Sequence, residues 1–258
     1  MILKKHVSVF GLFARSSLFK VLLILLALCA VEIVVFRAEL QSALEAYDIV
    51  GSGMASLERM FERSATNAYF RAALILMTIA MCLPGCAFKS NTHYTLRRLS
   101  ISERATFFHQ AAYNTLMYLT LIAVQLVLAF GLSQYYVAIV PAECISNQTV
   151  TLAFYRNEFL HSLLPLEDVG LWIRNGLLVI SLGLAAAEFP YNQRRRKFSS
   201  TAIALCIYTI VFFDQGIGEL FHVITTSIVA LMVMGEVIYH LTRNGEEVAQ
   251  NEQTEQNA

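Results

Sequence analysis

NTHYTLRRLSISERATFFHQ, residues 91–110, decides how the rest of the chain is read. It is a polar, basic interlude between two apolar runs that are each long enough to cross a bilayer. Taken as a helix, Tyr94–Leu99 places Leu96 and Leu99 three apart on one side, with Arg97 and Arg98 beside them. Ser100 and Glu103 then have the S-x-x-E spacing of a capping box, in which a hydroxyl and a carboxylate satisfy the free N–H groups of a new helix. The stretch predicts a short helix, a break at Ser100 and a second helix feeding the next apolar run. It reads either as a basic loop that only fixes topology by its charge, or as an elbow that something pushes or holds at the cytoplasmic face.

Composition sets the solvent around this elbow. Only 15% of the 258 residues are charged and 57% are hydrophobic, whereas a soluble domain carries about a quarter charged. The expectation is an all-α membrane protein. Upstream of the elbow, Ala68–Phe88 reads as one span, stopped or kinked by Pro84-Gly85 near its end. Before it, Ala38–Asn67 is a polar loop, with Gly51-Ser52-Gly53 dividing two short helices. Leu18–Arg37 is an earlier span, apolar except for Glu32, and its apolar run is too long for a cleaved signal peptide. Residues 1–17 carry Lys4, Lys5 and Arg15 among apolar residues, and suit an amphipathic segment lying on the inner membrane surface.

Downstream, Ala111 to about Tyr136 is a third span. Measured from Ser100 that helix is ~55 Å long, more than an apolar core of ~30 Å, so its first turns project from the membrane. Pro141–Gly170 is a second polar loop. Residues 171–189 form a fourth span closed by Pro190, and Arg194-Arg195-Arg196-Lys197 follows. A short apolar run at 200–213, a polar turn at Asp214–Glu219 and a span at 220–241 complete the chain. The remainder, 243–258, is polar, acidic and without aromatic residues, which predicts disorder.

Charge segregation orients these spans. With the N-terminus, the elbow, Arg194–Lys197 and the C-terminus in the cytoplasm, thirteen of the nineteen Lys and Arg fall inside. Six transmembrane helices with both termini cytoplasmic obey the positive-inside rule throughout, and a bacterial plasma membrane is the expected setting.

An ionisable group inside a bilayer is a functional candidate because it is costly there. Glu32 lies near the outer end of the first span, positioned to snorkel or to pair with Arg37 or Arg174. Glu188 and Glu236 lie near inner ends, within reach of Arg194–Lys197 or Arg243. Glu219 and His222, three apart with Asp214 nearby, resemble half of a metal site; nothing marks a third ligand, so no metal is assigned. Cys82 and Cys86, four apart, fit small apolar filling better than a metal pair. No G-x-S-x-G elbow, H-E-x-x-H helix or phosphate loop is present; none of the five lysines follows a glycine. Any ATP and Mg must therefore be bound by another chain.

Six spans, a basic amphipathic start, an elbow after the second span and the text Thr95-Leu96-Arg97-Arg98-Leu99-Ser100-Ile101-Ser102 together resemble the permease subunits of type-2 ATP-binding-cassette transporters. In that family a T-L-x-x-L-S-x-S stretch often follows the second span. The resemblance implies a short cytoplasmic coupling helix between spans two and three, gripped by a separate ATP-binding-cassette ATPase. It also implies a pathway formed with a second permease copy or homologue, and no cofactor bound by this chain. Leu96 and Leu99 would be the apolar knobs of the elbow beside Tyr94, and Arg97, Arg98 and Arg104 its charge contacts. Two other classes stay open: an intramembrane enzyme using Glu219, His222 and Asp214, and a non-transporting accessory or immunity protein. Nothing points to nucleic acid as a partner.

Overall fold

The computed structural model describes residues 2–50, 53–84, 86, 102–195, 197, 199–213 and 220–256. Tyr94, Leu96, Arg97, Arg98, Leu99, Ser100, Asp214 and Glu219 lie outside the described residues. The described chain is helical, with no strand among its residues. Its helices are α1 (Ile2–Val50), α2 (Leu57–Arg63), α3 (Thr66–Cys82), α4 (Glu103–Ile139), α5 (Thr149–Arg156), α6 (Glu158–Leu163), α7 (Val169–Arg194), α8 (Thr201–Phe212) and α9 (Leu220–Gln256). Four of them, α1, α4, α7 and α9, are long and apolar enough to cross a membrane, and the bent pair α2–α3 makes up to five.

α1 is longer than the sequence predicts. It runs without a break from the basic start through the apolar run to Val50, 49 residues or ~74 Å. No proline interrupts it, and extending an existing helix costs far less than nucleating a new one. Gly53, at φ +94°, then turns the chain where a side chain would be strained. α2 and α3 meet at a 50° bend; Ala65 takes the left-handed conformation between them (φ 50°, ψ 32°). α3 ends at Cys82, two residues before Pro84, although Leu83 between them keeps helical dihedrals (φ −72°, ψ −38°).

α4 starts one cap later than expected. Ser102 is the N-cap, its Oγ accepting from Ala105 N at 3.3 Å, so Glu103 is the first helical residue and not the third. The capping box read from Ser100 and Glu103 is replaced by a single serine cap, which frees the Glu103 carboxylate for a contact elsewhere. The 37 residues of α4 span ~55 Å. Pro190 does not close α7, which continues to Arg194. A proline this close to a helix end removes little of the ladder, and Asn192 donates to Glu188 at 3.0 Å across that turn. The 141–170 loop is itself partly helical, as α5 and α6. α9 runs on to Gln256 through the segment for which the sequence predicts disorder; Glu, Gln and Ala are adequate helix formers once a helix is under way.

Contacts fix the direction of α1, α3, α4, α7, α8 and α9. Along α4, Tyr113, Gln125 and Tyr135 meet Ser17, Glu32 and Arg37 of α1 in rising order, so the two run parallel. α3 runs against them: Thr78 meets Tyr118 and Pro84 meets Gln110. α7 packs antiparallel to α4 at the Gly183–Thr115 crossing. α8 leaves from Ser199, bonded to Glu188, and ends at Phe213, bonded to Arg174. α9 returns parallel to α7, from Val223 beside Gly170 to His240 beside Glu188. Among the described residues, these six helices thus alternate in direction between an end near Glu103, the elbow end, and an end near Arg174, the loop end.

α7 is the hub, packed against α4, α9, α8 and α3. Its Gly183, Ala185, Ala186 and Ala187 let neighbours approach closely, the small-residue solution where lipid gives no hydrophobic drive between helices. A Cβ on Gly183 would collide with Thr115 Oγ1 and stand 2.9 Å from its backbone N. The buried stripe of α1 is Val21, Leu25, Leu28, Glu32, Phe36 and Leu40, one face at helical spacing. α9 is the least embedded of these helices, and Leu220, Phe221 and Met232 on it are exposed.

Candidate functional site

At the elbow end, the start of α4 is tied to two other helices. Glu103 Oε2 accepts from Arg195 Nη2 at 2.9 Å, and the Arg195 guanidinium lies 4.6 Å from the centre of the Tyr191 ring. Arg104, the elbow arginine that is described, donates from Nη2 to the Thr242 carbonyl of α9 at 3.3 Å. The two residues after the Ser102 cap therefore hold the final turn of α7 and the body of α9. Below them, Phe107 and Ala111 of α4 pack with Leu184, Ala187 and Tyr191 of α7 and with Val237 and Leu241 of α9.

Beneath that lock lies an enclosed carboxylate. Glu188 is 1% exposed. Its Oε1 accepts from Asn192 Nδ2 at 3.0 Å and from His240 Nδ1 at 3.1 Å, and its Oε2 accepts from Ser199 Oγ at 3.1 Å. Among the described residues these three donors, and not Arg194, Arg195 or Lys197, hold Glu188; Arg195 is turned toward Glu103. A carboxylate held by several donors is stable where a lone one is not. It also joins α7, α9 and the start of α8 at one point. Glu236 is exposed on α9.

In mid-bundle, Glu32 is 1% exposed and Gln125 is 0% exposed. Gln125 Nε2 donates to Glu32 Oε2 at 3.0 Å. Neither Arg37 nor Arg174 pairs with Glu32, contrary to the expectation from the sequence. Arg37 donates to the Tyr135 hydroxyl at 3.1 Å. Arg174, wholly buried, reaches the Phe213 carbonyl at 3.1 Å and the Asn175 Oδ1 at 3.0 Å. There it satisfies the end of α8 with a positive charge, which suits a helix C-terminus. A third buried set links Tyr118 to Thr78 at 3.0 Å and Thr78 to Cys206 Sγ at 3.4 Å.

His222 packs beside the rings of Phe212 and Phe221 at the start of α9. No group of three metal-ligating side chains occurs among the described residues. The loop end carries a polar cleft of about 440 Å³ at the α2–α3 bend, lined by Glu62, Asn67, Arg71, Arg156 and Glu158 among others.

The sequence alone missed Gln125, His240 and Ser199 as partners. Gln125 was the most legible, as a polar residue in the middle of an apolar run. Glu188 and Asn192 share the i, i+4 spacing that brings side chains together on a helix. His240 and Ser199 carry no local signal, since each is brought to Glu188 by the packing of a different helix. Comparison of the chain with protein-family models, curated proteins and solved structures gives no match.

Proposed function

We propose that this chain is the membrane-spanning permease subunit of an ATP-driven transporter of the type-2 ATP-binding-cassette kind, acting with a separate ATPase chain. The observation that carries it is the tie from Glu103 to Arg195 and from Arg104 to Thr242. A rod of ~55 Å begins directly after the elbow and is keyed at that point to two further helices. Force applied to the elbow would reach α4, α7 and α9 together. Such a lever needs two packings of the bundle, biased by a partner that binds one better than the other.

The six alternating helices would be six spans with both termini and the elbow in the cytoplasm. Two features support this arrangement: the positive-inside distribution of Lys and Arg, and the alternation of helix direction through α8. At 12 residues, ~18 Å, α8 falls short of the hydrocarbon core of ~30 Å. Local thinning of the bilayer or burial of its ends by α7 and α9 would accommodate it. Leu96 and Leu99 would seat in the ATPase, with Tyr94, Arg97 and Arg98 around them. A second permease copy or homologue would complete the pathway.

The experiment is affinity purification of the full chain in mild detergent, followed by identification of bound proteins. Recovery of a phosphate-loop ATPase in stoichiometric amount, lost when Leu96 and Leu99 are both replaced by Asp, is the expected result. Transport activity in the purified chain alone would overturn the proposal.

A further inference from the structure

A groove of about 640 Å³ runs along the α1–α4 seam and opens outward from the bundle. Cys29 and Ile33 form its α1 wall, and Val127 and Gly131 lie on its α4 wall. Val127 is 72% exposed, so the groove faces the surroundings and not the core. Its one charged group is at one end, where Arg37 and Tyr135 stand together; at the other end the Thr120 hydroxyl is given to the Leu116 carbonyl.

Arg37 is held in place without being neutralised. Its Nε donates to the Tyr135 hydroxyl at 3.1 Å, and its guanidinium lies 5.3 Å from the centre of the Tyr135 ring. Among the described residues no carboxylate pairs with it. The two terminal nitrogens are left to form the planar fork that matches a phosphate oxygen pair. Arg37 also marks a boundary on α1: beyond it come Glu39, Glu45 and Asp48, where the apolar run has ended. An oriented cation at the polar limit of an apolar trough is complementary to an anionic amphiphile.

We propose that this groove holds one acyl chain of a bilayer phospholipid whose anionic headgroup sits on Arg37. From Tyr135 to Thr120 the groove descends ~22 Å along α4, enough for the ~15 Å depth of one leaflet. A helix of a second copy is the competing occupant. With a diameter of ~10 Å it would need well over twice the groove's volume along that length, and would bring no anion to Arg37. The inference does not depend on the transport reading. It requires only that the chain lies in a bilayer, so either can fail without the other.

The test is native mass spectrometry of the purified full chain, delipidated and then offered phosphatidylglycerol or phosphatidylcholine with identical acyl chains. The expected result is one phosphatidylglycerol retained with about tenfold preference, as a charge-assisted contact gives. Arg37→Ala removes the preference; Arg37→Gln, which keeps a donor toward Tyr135, does the same if the alanine variant does not fold. Gly131→Phe, at a position where an added Cβ meets nothing within 4 Å, fills the trough and lowers retention of both lipids. Equal retention of the two lipids by the unaltered chain overturns the proposal. So does an unchanged preference in the Arg37 variants. Disulfide crosslinking of two Val127→Cys chains through the groove would assign it to a second copy and overturn it as well.

Discussion

Glu32 of α1 and Gln125 of α4 meet at 3.0 Å in the middle of the bundle, both closed off from the surroundings. They join two parallel helices at a depth where neither has water to fall back on. Glu32 Oε1 and Gln125 Oε1 carry no partner among the described residues, so the amide donor is the contact that holds the carboxyl group. Gln125→Leu should lower stability by ~1–2 kcal/mol, the range for a lost interhelical hydrogen bond in a membrane protein. Glu32→Gln replaces the ionisable carboxyl group with an amide of the same shape that can bond Gln125, so it should be close to neutral. Thermal unfolding in one detergent checks the pair. If Glu32→Gln is as damaging as Gln125→Leu, the carboxyl group itself is required.

The Glu103–Arg195 pair is partly exposed on both sides, 57% and 23%, and such pairs contribute ~1 kcal/mol or less to stability. Arg195→Glu should therefore leave the unfolding midpoint nearly unchanged while weakening the hold of α4 on α7. In a complex with an ATPase, it should lower the transport obtained per ATP hydrolysed. Glu103→Arg combined with Arg195→Glu should recover part of that loss. The recovery is incomplete because the stacking of Arg195 on Tyr191 is not rebuilt. Equal coupling in single and double variants would remove the lever from the mechanism.

Gly183 is set so close to α4 that the obstacle to a larger residue is backbone as well as side chain. Gly183→Ala should cost ~1–3 kcal/mol through overpacking. Adding Thr115→Ala relieves only the contact with Oγ1, leaving Thr115 N at 2.9 Å and Cα at 3.0 Å. The double variant should thus stay well below the unaltered chain in thermal stability. Full recovery would place the constraint in the threonine hydroxyl alone.

Arg174 closes the end of α8 from inside the bundle. Arg174→Met keeps the apolar stem but leaves the Phe213 carbonyl without its cation, at a cost of ~1–3 kcal/mol. Because α8 is short, the loss should be local: faster amide exchange over 209–213 before the other helices open. Exchange measured by mass spectrometry distinguishes this from uniform destabilisation.

Cys144 is an exposed thiol at the loop end, while Cys82, Cys86 and Cys206 are buried. If that end lies outside the cell, as proposed, a membrane-impermeant maleimide added to intact cells should label the chain, and Cys144→Ser should abolish the labelling. Labelling of Cys144 only after the cells are opened would invert the assigned orientation.

Much of the architecture was legible in the residues themselves, because hydrophobic length, charge segregation and proline are local properties. The apolar runs give α1, α3, α4, α7 and α9, and the arrangement of Lys and Arg suggests which ends lie together. The elbow at 94–100 is read from spacing alone. Helix ends were less legible: Ser102 caps α4, and Pro190 fails to stop α7, where Asn192 bonds back to Glu188 in the same helix.

The sequence by itself determined that this chain is helical and apolar enough to be built for a membrane. Tertiary structure alone decided where the ends of the 12-residue α8 sit, one beside Glu188 and the other beside Arg174 of α7. It also decided that Glu32 belongs to Gln125, Glu188 to His240 and Arg37 to Tyr135. For the two carboxylates the physical reason is the same. Burial makes a polar group take whichever partner packing brings within 3 Å or so, and those partners lie 93 and 52 residues away in the chain.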